Sequence, residues 1–251
     1  MRILTIALLL IATGFAPRPA HAAMQVLFGD SWDRPGNSLQ DIVDSRYGPG
    51  AFDVHTAYIG RLASQPDPFY WIDARFAGLI IREVAGYAGM NVLGWYREPE
   101  AGQSPVIDGV DDGVVFDGVA SEGATVIVSF DRPAVRFGFY LDPNGPGGSI
   151  NAPPGELFFT NRLLNDLGPS GAGALHEPSG GDAQALIYDV SRWTEPNTWL
   201  VAFDDLDTGA TPGPCCSTTD NDFNDFVFEV TAVSVTPITP LTFGALKVRY
   251  R

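Results

Sequence analysis

Seven oxygen-bearing side chains crowd one stretch of the chain: Asp204, Asp205, Asp207, Asp220, Asp222, Asn224 and Asp225. Between Arg192 and Lys247 there is no Lys, Arg or His, so these carboxylates have no local protein counter-ion. Two carboxylate charges about 4 Å apart repel by roughly 4 kcal/mol at an effective dielectric near 20. A converging set therefore unfolds its loop or recruits a cation. Oxygen ligands without imidazole or thiolate partners match Ca²⁺ rather than zinc or copper. The spacing Asp220-x-Asp222-x-Asn224 follows the start of an EF-hand loop, but Asp225 stands where that loop requires Gly and no Glu follows at its last position. The alternative reading of the same residues is a solvated acidic turn.

Two strands must position this group. Trp199, Val201 and Phe203 alternate before it, and Phe226, Phe228 and Val230 alternate after it, the period expected of strands with one face in a core. If they pair as a hairpin, Asp204 and Asp205 leave one strand beside Asp222, Asn224 and Asp225 at the start of the other. The roughly 17 residues between the strands exceed the length of an ordinary structureless loop. That loop also carries Cys215 and Cys216. Adjacent cysteines cannot staple distant parts of a fold, and a disulfide between them forms a strained ring. The reading is a vicinal disulfide or two thiols stiffening the loop, with an intermolecular link as the alternative.

The remaining chain alternates short aromatic and β-branched runs with Gly, Pro, Asn and Asp, which is how strands and turns read. Strands are expected at 25–28, 69–73, 79–84, 91–96, 114–117, 124–130, 134–141, 156–160, 183–188, 198–204 and 224–230. One short helix is expected at 38–46, capped by Asn37 with Gln40 at the reciprocal position. The expected architecture is all-β: an antiparallel β-sandwich or jelly roll with one short N-terminal helix.

Arg2, the apolar run 3–15 and Ala20-His21-Ala22 read as an export signal occupying 1–22, too short to span a bilayer. The mature chain is expected to start near Ala23, with one sandwich domain over 23–232 and a Pro-containing tail over 233–251, and with no transmembrane segment after cleavage. The formal net charge is −15, and losing Arg2 and Arg18 with the leader makes it more negative. Such a balance excludes nucleic-acid partners, which need clustered Lys and Arg.

The segments FGFYL at 137–141, FDDL at 203–206 and DNDFNDFVFEV at 220–230 resemble the bacterial domain of unknown function 4114. This portion covers about 104–232. SLQDIVD at 38–44 and IIREVAGYAGMNVLGWY at 80–96 resemble the segments preceding that domain in exported members. The family is typified by a Glu-Asp pair and an Asp-x-Asp-Tyr-Asn-Asp run, whose acidic residues hint at metal binding or an enzymatic role. The pair falls here on Asp204 and Asp205, and the run on Asp220, Asp222, Phe223, Asn224 and Asp225. Asp204 stands in place of the usual Glu and Phe223 in place of Tyr. The intervening loop is longer and carries the cysteine pair, and the tail 241–251 has a basic end without the apolar span of a sorting signal.

The resulting expectation is an exported, calcium-binding structural or adhesive module of the cell surface, periplasm or medium, with an extracellular glycan or surface protein as partner. A carbohydrate-binding module is the alternative, with Tyr70, Trp71, Trp95 and Tyr96 as a stacking platform. A secreted carboxylate-dependent hydrolase is a further one. His55 and His176 have no recognisable catalytic partner in the sequence, and no Gly-x-Ser-x-Gly elbow is present.

Overall fold

A computed structural model describes residues 26, 28–29, 35–62, 71–84, 89–100, 103, 105–132, 135–143, 157–165, 183–205 and 221–232. Ten strands are described, arranged in two antiparallel sheets. The first contains β1 (Trp71–Asp73), β3 (Val92–Arg97), β4 (Asp112–Phe116), β6 (Val135–Asp142) and β7 (Phe158–Phe159), in the order β1-β6-β3-β4 with β7 also on β6. The second contains β2 (Arg75–Arg82), β5 (Thr125–Ser129), β8 (Ala185–Asp189), β9 (Thr198–Phe203) and β10 (Phe226–Ala232), in the order β5-β2-β10-β9-β8. This is the all-β sandwich expected from the strand and turn pattern. Neighbours are frequently distant in sequence, as β10 on β2 shows.

Alternation along β9 and β10 explains the layering. Trp199, Val201, Phe203, Phe226, Phe228 and Val230 point into the core between the sheets with Phe76, Phe137 and Phe139. Burying each such ring contributes about 1.5–3 kcal/mol. The other face of the second sheet, with Leu200, Ala202 and Val227, is covered by Leu39, Ile42 and Val43 of α1 (Leu39–Tyr47) and by Val54 of α2 (Val54–Ala57). Glu229 lies on this covered face, where Arg46 Nε and Nη2 each donate to its carboxylate at 2.9 Å and the Tyr47 hydroxyl donates at 2.7 Å. That bidentate pair locks α1 onto β10.

The cap of α1 differs from the expectation. Ser38, not Asn37, accepts from the Asp41 N–H, and its hydroxyl donates back to Asp41 Oδ2 at 2.7 Å. Asn37 instead accepts from Arg82 Nη2 at 2.9 Å, so its oxygen is already engaged across the sheet. Gln40 is likewise diverted, donating to Asp44 and to the Phe52 carbonyl. β2 begins at Arg75, four residues ahead of the expected start, because Phe76, Ala77 and Gly78 pair with both β5 and β10. α2 and a short α3 (Arg162–Asn165) have no counterpart in the sequence reading. Among the described residues no helix is long and apolar enough to cross a membrane.

Candidate metal centre

Phe203 at the end of β9 pairs with Phe226 at the start of β10. The chain leaving β9 is Asp204-Asp205 and the chain arriving at β10 is Asp222-Phe223-Asn224-Asp225, so antiparallel pairing brings the two acidic segments to one end of the sheet. One carboxylate oxygen from each of Asp204, Asp222 and Asp225 lies within 4.8 Å of the other two. All three side chains are buried, at 0, 6 and 7 % exposure. Solvation therefore does not explain how the charges are tolerated, and the solvated-turn reading fails for these residues.

Backbone geometry turns the side chains inward. Asn221 and Phe223 adopt left-handed φ values of 52° and 54°, a conformation that costs a residue with a Cβ about 1–2 kcal/mol. Burial of the Phe223 ring, 5.8 Å from the ring of Phe28, offsets this cost. The Gly29 N–H donates to the Asn221 carbonyl at 3.1 Å and fixes the outer side of the turn. Inside it, the Asn224 N–H donates to Asp222 Oδ1 at 3.3 Å. Asn224 Nδ2 donates to the Asn37 carbonyl at 3.0 Å, tying the loop to the start of α1.

Asp205 flanks the cluster. Its N–H donates to Asp225 Oδ2 at 2.8 Å, and its own Oδ2 accepts from Asn91 Nδ2 at 3.1 Å. Burial, then the charges of Asp205, Asp204 and Asp222, push the Asp225 carboxyl well above the usual carboxylate range, against the pull of the Asp205 N–H. Glu83, at the far end of β2, also titrates above its ordinary range. Burial is the main cause; Asp205 adds repulsion, while the Gly89 N–H and the Asn91 amide act in the opposite sense. Asn91 is fully buried, and its Oδ1 has no hydrogen-bond partner.

Of the residues singled out in the sequence, Asp204, Asp222 and Asp225 form the cluster, with Asp205 and Asn224 bonded around it. Asp207, Asp220, Cys215 and Cys216 lie outside the described residues. Glu83 and Asn91 were missed as site residues, although both fall in the segment 80–96 already set apart by the family resemblance. Trp71 and Tyr96 do not offer the exposed faces that the aromatic platform expected from the sequence requires. Trp71 is buried in the inter-sheet core, and Tyr96 is buried on the opposite face of the same sheet against Phe159. Trp95 packs edge-on against Phe130 at 4.7 Å, and Tyr70 lies outside the described residues. His55 faces Asp53 at 3.1 Å, both exposed, in the cap of α2; His176 is not among the described residues.

Fold and site together define a β-sandwich with a buried carboxylate cluster at one end of a sheet. No protein-family model, no curated protein and no solved structure matches the chain.

Proposed function

We propose that the chain is an exported β-sandwich module of the domain of unknown function 4114 type that binds Ca²⁺ and serves a structural or adhesive role. The observation that carries this reading is the convergence of the buried Asp204, Asp222 and Asp225 carboxylates. Ionised carboxylates in a dry site need a cation or a proton. The donor set, carboxylate and amide oxygen without imidazole, suits Ca²⁺. Asp204, Asp222 and Asp225 would hold the ion. The unpartnered Asn91 Oδ1 supplies a further buried acceptor beside Asp205, with Glu83 next to it. A bound ion would join the end of β9 to the start of β10 and brace the long loop between them.

This support favours an ion over a sugar substrate, because the clustered carboxylates are sealed from solvent and the exposed stacking platform required for a carbohydrate is not formed by Trp71 and Tyr96. Export rests on the 1–22 leader and gives a mature N-terminus near Ala23, readable by sequencing the protein recovered outside the cytoplasm. The central test is titration calorimetry. The wild-type chain should show saturable Ca²⁺ binding with a Kd of roughly 0.1–1 mM, in the range of extracellular modules. Asp222→Asn combined with Asp225→Asn should abolish it. A wild-type chain without a saturable site would refute the proposal.

A further inference from the structure

Beside α1 the outer face of β2 is only partly covered, and a cleft of about 290 Å³ opens there, close to the lower end of small-molecule sites. Leu79 and Ile81 of β2 and Ile42 of α1 give it apolar walls. Arg46 and Arg82 also line it, although acidic side chains outnumber basic ones by 30 to 15 in this chain. They stand at its two ends. Arg46, in the last turn of α1, reaches Glu229, whose position on β10 is opposite Leu79. Arg82 lies three residues further along β2, roughly 10 Å at a strand rise of about 3.3 Å per residue. Its guanidinium donates to Asn37 beside the first turn of α1.

Neither guanidinium is fully used. Among the described residues Arg46 donates to Glu229 through Nε and Nη2, next to the Tyr47 hydroxyl. Arg82 donates through Nη1 to Glu122 and through Nη2 to Asn37. Arg46 Nη1 and Arg82 Nε keep N–H groups to give, on side chains that are 40 and 41 % exposed. Ser45 adds a hydroxyl next to Arg46. From the rim, Glu122 presents a carboxylate to Arg82 at 2.8 Å, in an exposed pair that contributes little by itself. We propose that this cleft binds a short aliphatic dicarboxylate, one carboxylate on Arg82 in place of Glu122 and the other on Arg46 and Ser45, with the methylene chain against Leu79 and Ile81. Guanidinium groups at both ends of an apolar floor select that class. A neutral apolar molecule leaves both unused and a monocarboxylate leaves one, whereas each carboxylate of a diacid gains charge-assisted hydrogen bonds.

Titration of the purified chain with succinate, glutarate and adipate, followed by backbone-amide NMR, tests this. The buffer is free of Ca²⁺, so that a diacid cannot act by withdrawing the ion, and at physiological ionic strength, where the field of the acidic chain is screened beyond about 8 Å. At least one diacid should saturate with a Kd of about 1–10 mM and shift amide signals of α1 and β2. Pentanoate should bind about tenfold more weakly, having lost one charge-assisted end, and 1,5-pentanediol should not bind. Glu122→Gln should tighten the diacid by about two- to fivefold, because it releases Arg82 from a surface pair. Arg82→Gln should bring the diacid down to the affinity of pentanoate. Both substituted side chains are partly exposed, and unchanged amide signals away from the cleft check that the fold is kept. The absence of saturable diacid binding, pentanoate binding as tightly as any diacid, or a diacid affinity that ignores both substitutions would overturn the proposal.

Discussion

Asp225 is the side chain whose state depends most directly on what the cluster holds. Without an ion, burial and three neighbouring carboxylates raise its pKa, so the folded chain keeps a proton that the unfolded chain loses near pH 4. Stability from this group is full below that pH and is lost as pH rises toward the raised folded value. Ca²⁺ bound as proposed would reverse the dependence, because the ion competes with the proton. The ion-free melting point should therefore fall as pH is raised from 4, and Ca²⁺ binding should tighten with pH while releasing a proton, seen as a buffer-dependent enthalpy in calorimetry. An affinity that does not change with pH would mean that Asp225 is not a ligand. At this scale the sequence exposed the acidic residues, because an acidic run without any cation is visible in one dimension. It did not expose Asn91 or Glu83, whose role depends on the end of β2 and the start of β3 lying beside a hairpin more than a hundred residues later.

Strands were legible where alternation was strict. β6, β8, β9 and β10 lie close to the expected ranges, and α1 was visible from its apolar face. The early start of β2 was hidden because Gly78 and Arg75 interrupt the apolar pattern, and what holds them in a strand is pairing on both sides. A second feature invisible in sequence is the exchange of rings and glycines on the outer face of the first sheet. Tyr140 lies opposite Gly94 and Tyr96 opposite Gly138, each ring filling the space above the glycine. A Cβ at Gly94 would come within 2.0 Å of the Tyr140 ring. Tyr140 is nearly buried, and its phenol is pushed up to about 12 by burial and by the charges of Asp112 and Asp142. Gly94→Ala should displace this ring and destabilise the fold by about 1–3 kcal/mol, measured by chemical denaturation. An unchanged denaturation midpoint would show that the ring moves without cost and does not pack the sheet. The role of those glycines is not visible in the sequence, since the partner that makes them necessary is across the sheet.

For the molecule as a whole, the acidic balance and the hairpin loop act together. A chain of formal charge −15 repels itself when compact, and three buried carboxylates converge where β9 and β10 meet. An ion held there, as proposed, would neutralise the cluster and fasten the hairpin into the sandwich at once, linking metal binding to folding. Sandwich class follows from the strand pattern; the site's burial does not, because it arises from Phe223, Phe28 and α1 packing around the turn. General screening by any divalent cation also stabilises a chain this acidic, so the deciding comparison is between ions of equal charge. The melting temperature should be measured with Ca²⁺ and with Mg²⁺ at equal ionic strength, for the wild type and for Asp222→Asn with Asp225→Asn. A hundredfold excess of Ca²⁺ over its Kd contributes about 2.7 kcal/mol, which for a chain of this size raises the wild-type melting temperature by about 5–10 °C. Mg²⁺ should give a much smaller rise, and the double variant should respond weakly and equally to both ions. Equal shifts with Ca²⁺ and Mg²⁺ in the wild type, or a Ca²⁺ shift undiminished in the double variant, would contradict a specific site at Asp204, Asp222 and Asp225.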